Sequence, residues 1–280
     1  MVCWVCGTEQ VNKWRDGVAA INSDDLKITD MRYGLTLPLY RCNKCGFVFA
    51  NVRNLSNLYE ELIDNEYVKS ALQREKQLNR LLKQTKAFLP GKTILDVGAG
   101  NGLFVKLAKA EGYNMHGLEP SRFLAEQAQA EGLPIRNTAI PDYSLNMFDA
   151  IYMTDVIEHI AEPLPLLKQY VECLKDGGVL VIVTPNISSL TARMMGKRWW
   201  HFRIAHVGYY NKRTLEALLR QANLRLIRYL TPVWFFSAGY ALERLGQYVP
   251  FLKSKKPLIS LSRIFIPITF GDSILGIFQK

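Results

Sequence analysis

Thr93-Ile94-Leu95-Asp96-Val97-Gly98-Ala99-Gly100-Asn101-Gly102 decides how the chain is read. The apolar run Ile94 to Val97 stops at three glycines spaced two apart. Leu103, Phe104, Leu107 and Ala108 then begin a helical apolar spacing. This pattern predicts a buried strand, a tight turn and a helix. Glycines let backbone approach a ligand closely, and the N-terminus of a helix offers free N–H groups to it.

Downstream, the same alternation repeats. Met115 to Leu118 reads as a second strand ending at the acid Glu119, and Ser121 is placed to cap a helix running to Glu131. Ile135 to Ala139 gives a weaker third strand, and Phe148 to Thr154 a fourth, followed by Asp155-Val156-Ile157-Glu158-His159. Leu164 to Leu174 is helical, and Val179 to Thr184 is a fully buried fifth strand. Thr214 to Asn223 is helical, and Leu224 to Leu230 and Ser273 to Phe278 read as the last strands. Strands alternating with helices predict an α/β fold, a doubly wound and mostly parallel sheet covered on both faces. Segments 187–209 and 231–268 fall outside the alternation and read as insertions over the ligand-binding edge.

Upstream, Cys3-x-x-Cys6-Gly7 and Cys42-x-x-Cys45-Gly46 are two matched knuckles separated by 35 residues. Paired thiolates at this spacing curl around one tetrahedral Zn²⁺, and a glycine after each pair eases the turn. A disulfide framework would need an oxidising compartment, and two equivalent pairs argue against a redox site. Residues 1–53 therefore read as a zinc-ribbon-like module with Cys3, Cys6, Cys42 and Cys45 as ligands. The fifth cysteine, Cys173, lies on a helical pattern and is expected in the core. Residues 54–90 read as a helical linker or cap closed by Pro90-Gly91, with Tyr59, Glu60 and Tyr67 able to fold over a ligand at the turn. Residues 91–280 form the main domain.

At 280 residues the chain can bury one large core and carry a small extra module. Met1-Val2-Cys3-Trp4 lacks a basic start followed by an apolar run, so no secretory signal is expected. No apolar run is long enough to span a bilayer. A cytoplasmic protein, with peripheral membrane contact as a further option, is the expectation. The net charge of +10 is uneven: residues 187–280 hold 15 Lys and Arg against 3 Asp and Glu, and residues 1–186 hold 20 against 22. A basic final third suits an acidic partner or an anionic membrane surface, or is a solvated face.

Two kinds of cofactor use such a turn with an acid at the end of the next strand. Glu119, 19 residues beyond Gly100, can accept from both hydroxyls of a ribose in either case. Local charge separates them. Asp96 would repel the pyrophosphate of a dinucleotide but attract a sulfonium or ammonium group. The third glycine is also displaced from the dinucleotide fingerprint, whose last position is Leu103 here. S-adenosylmethionine fits better.

Asp96-Val97-Gly98-Ala99-Gly100-Asn101-Gly102, Glu119, Phe148-Asp149, Glu158-His159, Leu174-Lys175-Asp176-Gly177-Gly178 and Thr184-Pro185-Asn186 together resemble the class I S-adenosylmethionine-dependent methyltransferases. The branch named for ubiquinone-biosynthesis-type enzymes is the most similar. The cysteine knuckles resemble those of zinc-ribbon-bearing members, including sugar C-methyltransferases and enzymes of surface-polysaccharide pathways. The resemblance implies a seven-stranded, Rossmann-like sheet whose last strand is antiparallel. It also implies that Gly98, Ala99 and Gly100 face the methionine end of the cofactor and that Glu119 holds its ribose. Ala139, Ile140 or Asp142 would flank the adenine, and Thr154 and Asp155 would lie near the methyl group.

Methyl transfer to a hydroxyl or carbon acid is helped by a general base. His159 and His206 are the catalytic candidates, and a structural hydrogen bond is the competing role for each. His201 is a weaker candidate, and His116 is expected in the core. Trp199, Trp200 and Phe202 could stack on a ring, enter a membrane interface or simply pack. The expected activity is methylation of a small molecule, a sugar or a lipid-linked precursor. A zinc-ribbon nucleic-acid binder or RNA methyltransferase is one alternative, and a peripheral membrane methyltransferase of a lipid or quinone-type substrate is another.

Overall fold

The structure is a computed structural model; it describes all residues except 19–20, 28–31, 53–54, 66, 68–70 and 238–264. The chain starts with β1 (Val11–Arg15), β2 (Leu39–Cys42) and β3 (Val48–Ala50), paired antiparallel in that order. A short helix, Ser56–Glu60, and a longer one, Ala71–Thr85, lead to the main sheet.

That sheet contains β4 (Thr93–Val97), β5 (Asn114–Leu118), β6 (Ile135–Arg136), β7 (Phe148–Thr154) and β8 (Leu174–Pro185). After the small strand β9 (Gly208–Tyr209), β10 (Arg225–Leu230) joins the same sheet. β11 (Trp234–Ser237) and β12 (Phe265–Ile268) pair with each other, and β13 (Ser273–Gln279) ends the chain. The seven-stranded order is β10-β13-β8-β7-β4-β5-β6, and β13 is antiparallel to both neighbours. The expected class I arrangement and its closing strand pair are therefore present.

Alternate residues of each strand enter opposite cores, as the two-residue side-chain period requires. Leu95, Val97, Ile151, Met153, Leu180 and Ile182 are buried with the helices Leu164–Cys173 and Lys212–Gln221. Ile94, Ala150, Tyr152, Val179, Val181 and Val183 are buried on the other face, with the helices Ala71–Thr85, Leu103–Ala110 and Arg122–Ala130. Cys173 is buried, as expected.

Three local readings change. The helical stretch expected over 57–89 is interrupted. Leu62 is buried and packs with Leu26 and Ala205, its carbonyl accepts from Ser121 Oγ at 2.8 Å, and Asp64 Oδ1 accepts from the Tyr67 N–H. The Leu62 contacts to distant segments, with the local Asp64 cap, break the helical period. The third strand is only two residues long, because the Asn137 side chain donates to the carbonyls of Glu119 and Pro120 and turns the chain away. Segment 187–209 contains the helix Leu190–Met195 and then β9, which adds to the N-terminal sheet by pairing with β3. Of segment 231–268, β11 and β12 are described. Lys253, Lys255 and Lys256, which contribute to the basic excess of the final third, lie outside the described residues. No helix among the described residues is long and apolar enough to cross a membrane.

Candidate active site

The turn after β4 is held by two backbone bonds. The N–H groups of Gly98 and Ala99 both donate to the Leu118 carbonyl, at 2.8 and 2.9 Å. Gly98 and Gly100 have φ of 71° and 57°, the left-handed region that glycine enters without steric cost. The same turn orders Glu119. Its Oε2 accepts from the Gly100 N–H at 2.7 Å and its Oε1 from the Ser121 N–H at 2.8 Å. Each carboxylate oxygen keeps a further lone pair for a hydroxyl. Burial pushes the Glu119 carboxyl up to about 7 against those two hydrogen bonds. Asp96, at the end of β4, is held well above the usual carboxylate range by burial and then by the charge of Glu119.

Asp96, Gly98 and Ala99 open onto a cavity of about 600 Å³, a size that holds a drug-sized ligand. Thr154 and Asp155, after β7, line it as well. Asp155 has a φ of 53°, uncommon for a side-chain-bearing residue, and its N–H donates to the Val183 carbonyl. Its surface is open to the cavity while protein surrounds it, and burial pushes its carboxyl up to about 6. Asp142 stands apart: it is exposed, 3.6 Å from the Arg136 guanidinium, and does not line the cavity.

Two residues of the linker cover the glycine turn. Tyr67 lies over the turn so closely that a Cβ on Gly100 would sit 2.6 Å from its hydroxyl. Arg74 stacks on the Tyr67 ring at 3.6 Å and donates to the Tyr67 carbonyl and to Asn101 Oδ1. Both line the cavity. Tyr67 fits its expected position over the turn. Arg74 was not singled out from sequence, although it is one of several cations on that helix. Tyr59 goes elsewhere, to His159.

At the far end of the cavity the histidines meet. The rings of His159 and His206 are 4.8 Å apart and edge-on, and His201 and His206 are stacked at 6.0 Å. His159 Nδ1 is 2.9 Å from the Ala205 carbonyl and 2.7 Å from Tyr59 Oη. A proton on Nδ1 satisfies the carbonyl and leaves the Nε2 lone pair free. Burial pushes His159 down to about 4, helped by Arg203, and pushes His206 well below its ordinary value, so burial favours the neutral form of both rings. Buried Glu158 accepts from Thr184 Oγ1 at 2.9 Å, while its Oε1 and His206 Nδ1 have no hydrogen-bond partner among the described residues. Glu158, His159 and His206 bring ligand-capable atoms within 4.8 Å of one another. Trp199 and Phe202 are buried, Trp199 donating to Asp272 Oδ2, and only Trp200 of the expected aromatic trio faces the cavity. His116 is half-buried between Tyr143 and Phe148.

The four knuckle cysteines form the other cluster. Their Sγ atoms lie within 4.8 Å of one another, with Cys3–Cys45 and Cys6–Cys42 both at 3.5 Å. A tetrahedral zinc with Zn–S bonds of about 2.3 Å requires sulfur separations of about 3.8 Å, so the set fits the ion. In each knuckle a glycine N–H returns to the first cysteine carbonyl at 2.9 Å, Gly7 to Cys3 and Gly46 to Cys42.

A doubly wound sheet, an acid-and-glycine turn after its central strand and a second acid after the neighbouring strand define a class I S-adenosylmethionine-dependent methyltransferase. A family model described as a methyltransferase domain matches residues 66–229, more than half of the chain, and the chain belongs to that family. Among curated proteins it is similar to the ubiquinone biosynthesis O-methyltransferase of Actinobacillus pleuropneumoniae serotype 7, 33% identical over 109 residues, which are 34% of this chain and 47% of that one. The enzyme of the same name from Xanthomonas campestris pv. campestris is 26% identical over 158 residues, 49% of this chain and 64% of that one. The chain thus spans less than two thirds of the length of these relatives. Among solved structures, a methyltransferase from Thermotoga maritima superposes with a TM-score of 0.52 at 21% identity, covering 77% of this chain and 95% of that one. One from Archaeoglobus fulgidus gives 0.51 at 18%, covering 78% and 100%. These two likenesses show the fold.

Proposed function

We propose that the chain is an S-adenosylmethionine-dependent O-methyltransferase whose acceptor is a small hydroxylated, quinone-precursor-like molecule. The observation that carries this is one continuous cavity joining the glycine turn to the histidine pair. The names of the curated relatives favour this acceptor class over a sugar. The bound cofactor supplies an electrophilic methyl group on a sulfonium. Glu119 would hold the ribose, and Asp96 with Arg74 would hold the charged amino-acid end, carboxylate against ammonium and guanidinium against carboxylate. His159 or His206, facing the acceptor end, would hold the acceptor hydroxyl and take its proton, and the bound cofactor would supply the methyl group. The rest is alignment of the acceptor with the methyl group. The Cys3, Cys6, Cys42 and Cys45 set would hold a structural Zn²⁺.

Trp200, Phe236, Ile268 and Phe270 make the acceptor end apolar, which suits a ring carrying a hydrocarbon tail. Nearby, Leu190 and Met194 are 72% and 78% exposed, one helical turn apart and beside Arg193, Lys197 and Arg198. A face of this kind rests on an anionic bilayer. The protein should float with phosphatidylglycerol vesicles and not with neutral ones; equal recovery with both removes the membrane part of the reading. The enzyme reading is tested with methyl-labelled S-adenosylmethionine in a small-molecule cell extract. Label should enter a hydroxylated aromatic fraction. No cofactor binding at millimolar concentration, or label only in RNA, would overturn it.

A further inference from the structure

A proton taken from the acceptor at the His159–His206 pair has to leave it before the next turnover. Burial and then the Arg203 guanidinium disfavour the charged form of His159, and burial does the same for His206. A proton is therefore poorly held by either ring. His201, a third histidine on the same cavity wall, is built differently. Its Nε2 lies 3.4 Å from Asp272 Oδ2, and among the described residues it is the one histidine paired with a carboxylate. The His201 side chain is 21% exposed and that of Asp272 2%, so the imidazole reaches solvent while its carboxylate does not.

Asp272 is held firmly. It stands just before β13, where Ser273 pairs with Pro185 of β8, and its backbone carbonyl accepts from the Asn186 N–H at 2.7 Å. Its Oδ2 also accepts from Trp199 Nε1 at 3.3 Å. Trp199 is buried, and its ring lies edge-on to His201 at 5.0 Å. A proton on His201 Nε2 is donated to the carboxylate and leaves the Nδ1 lone pair as an acceptor. When Nδ1 is protonated as well, the imidazolium keeps Asp272 as its counter-ion. Asp155 is a further carboxyl nearby: burial pushes it up, and His201 opposes the rise. Nothing in the sequence joins His201 to Asp272, and Asp272 lies beyond the family match, which ends at residue 229.

We infer that His201 is a proton-relay residue of the methyl transfer and that Asp272 is the positioning residue that orients it. The inference rests on the proposed activity, because it takes the cavity as the acceptor's site. The His201 and His206 rings are stacked within 18° of parallel with centroids 6.0 Å apart, a gap that a proton crosses through one water. The acceptor O–H bond breaks as its proton passes to the histidine pair. The same proton then moves to His201 Nδ1, and His201 returns it to solvent. Asp272 stays ionised throughout, as the carboxylate behind a catalytic imidazole does.

The test uses the full chain, methyl-labelled S-adenosylmethionine and the hydroxylated aromatic fraction that takes up label. His201→Gln and Asp272→Asn should each lower the maximal rate by about 100-fold, the scale of a lost acid–base group, and leave cofactor affinity and the half-saturating amount of acceptor within about threefold. The double variant should be no slower than His201→Gln alone, because Asp272 acts through the imidazole. His201 is partly exposed, so His201→Gln keeps the test open where the buried Asp272→Asn fails to fold. Nitrogen NMR of labelled histidine needs no acceptor. It should find the His201 proton on Nε2 in the wild type and moved toward Nδ1 in Asp272→Asn, whose amide can donate to Nε2. Wild-type transfer with a full-rate His201→Gln overturns the inference and leaves the proposed activity standing. An additive double variant, or a wild-type proton on Nδ1, does the same. No transfer by the wild-type protein overturns the proposed activity and this inference together.

Discussion

Glu119 shows how much chemistry one buried carboxyl carries. Its two N–H partners, from Gly100 and Ser121, fix both oxygens, yet burial still raises it to about 7. A carboxyl raised above its unfolded value stabilises the fold below that unfolded value, near 4.5, and this contribution is lost as pH rises through 7. The ionised form is the better acceptor for ribose hydroxyls, so cofactor binding should run the other way. Calorimetric affinity for S-adenosylmethionine is expected to fall as pH is lowered from 8 to 6, and Glu119→Gln should be weaker at pH 8 and flatter across the range. A wild-type affinity independent of pH would count against the ribose role. Asp96 and Glu119 were legible in the sequence because each sits at a fixed distance from a glycine turn within one strand–helix unit. The meeting of His159 with His206 was not. Their rings come within 4.8 Å only because Val207 bonds back to Glu158 and β9 is held by β3.

At the scale of elements, the glycine turn depends on the linker that covers it. A Cβ on Gly100 would sit in a backbone conformation unfavourable for alanine and would press on the far end of the Tyr67 side chain, which can swing away. Gly100→Ala should therefore cost about 1–2 kcal/mol of stability from backbone strain. Displacing Tyr67 also loosens Arg74, so cofactor affinity should fall further than stability does. Thermal shift with and without cofactor reads both quantities, and a normal cofactor-induced shift in Gly100→Ala would show that Tyr67 is not part of the site. The strands around this turn were legible because their apolar runs are short and bounded. The linker was misread as one helix because its leucines keep a helical period. Leu62 spends its place in that period packing on Leu26 and Ala205, and Asp64 starts a new turn at Tyr67. The packing of Leu62 comes from distant segments and leaves no local pattern.

For the whole molecule, the question is whether the cysteine module is a separate body. Cys3, Cys42, Phe47 and Phe49 are buried in the same core cluster as Met153, Ile157 and Leu215 of the main domain. The Phe47 ring lies 5.0 Å from Tyr210, Gln221 Nε2 donates to the Val5 carbonyl at 2.6 Å, and an Arg213 Nη donates to the Cys45 carbonyl at 2.7 Å. The knuckles were readable from their spacing, but this seam was not, because its partners are far apart in sequence. A module so joined cannot melt alone without uncovering the helix Lys212–Gln221. Cys42→Ser is expected to remove about one equivalent of zinc per chain and to lower stability by about 2–5 kcal/mol, the scale of losing a native cross-link. Calorimetry should show one cooperative transition that moves down as a unit. Two transitions, with the upper one unchanged by the substitution, would mean that the sheet β1-β2-β3-β9 is an independent appendage.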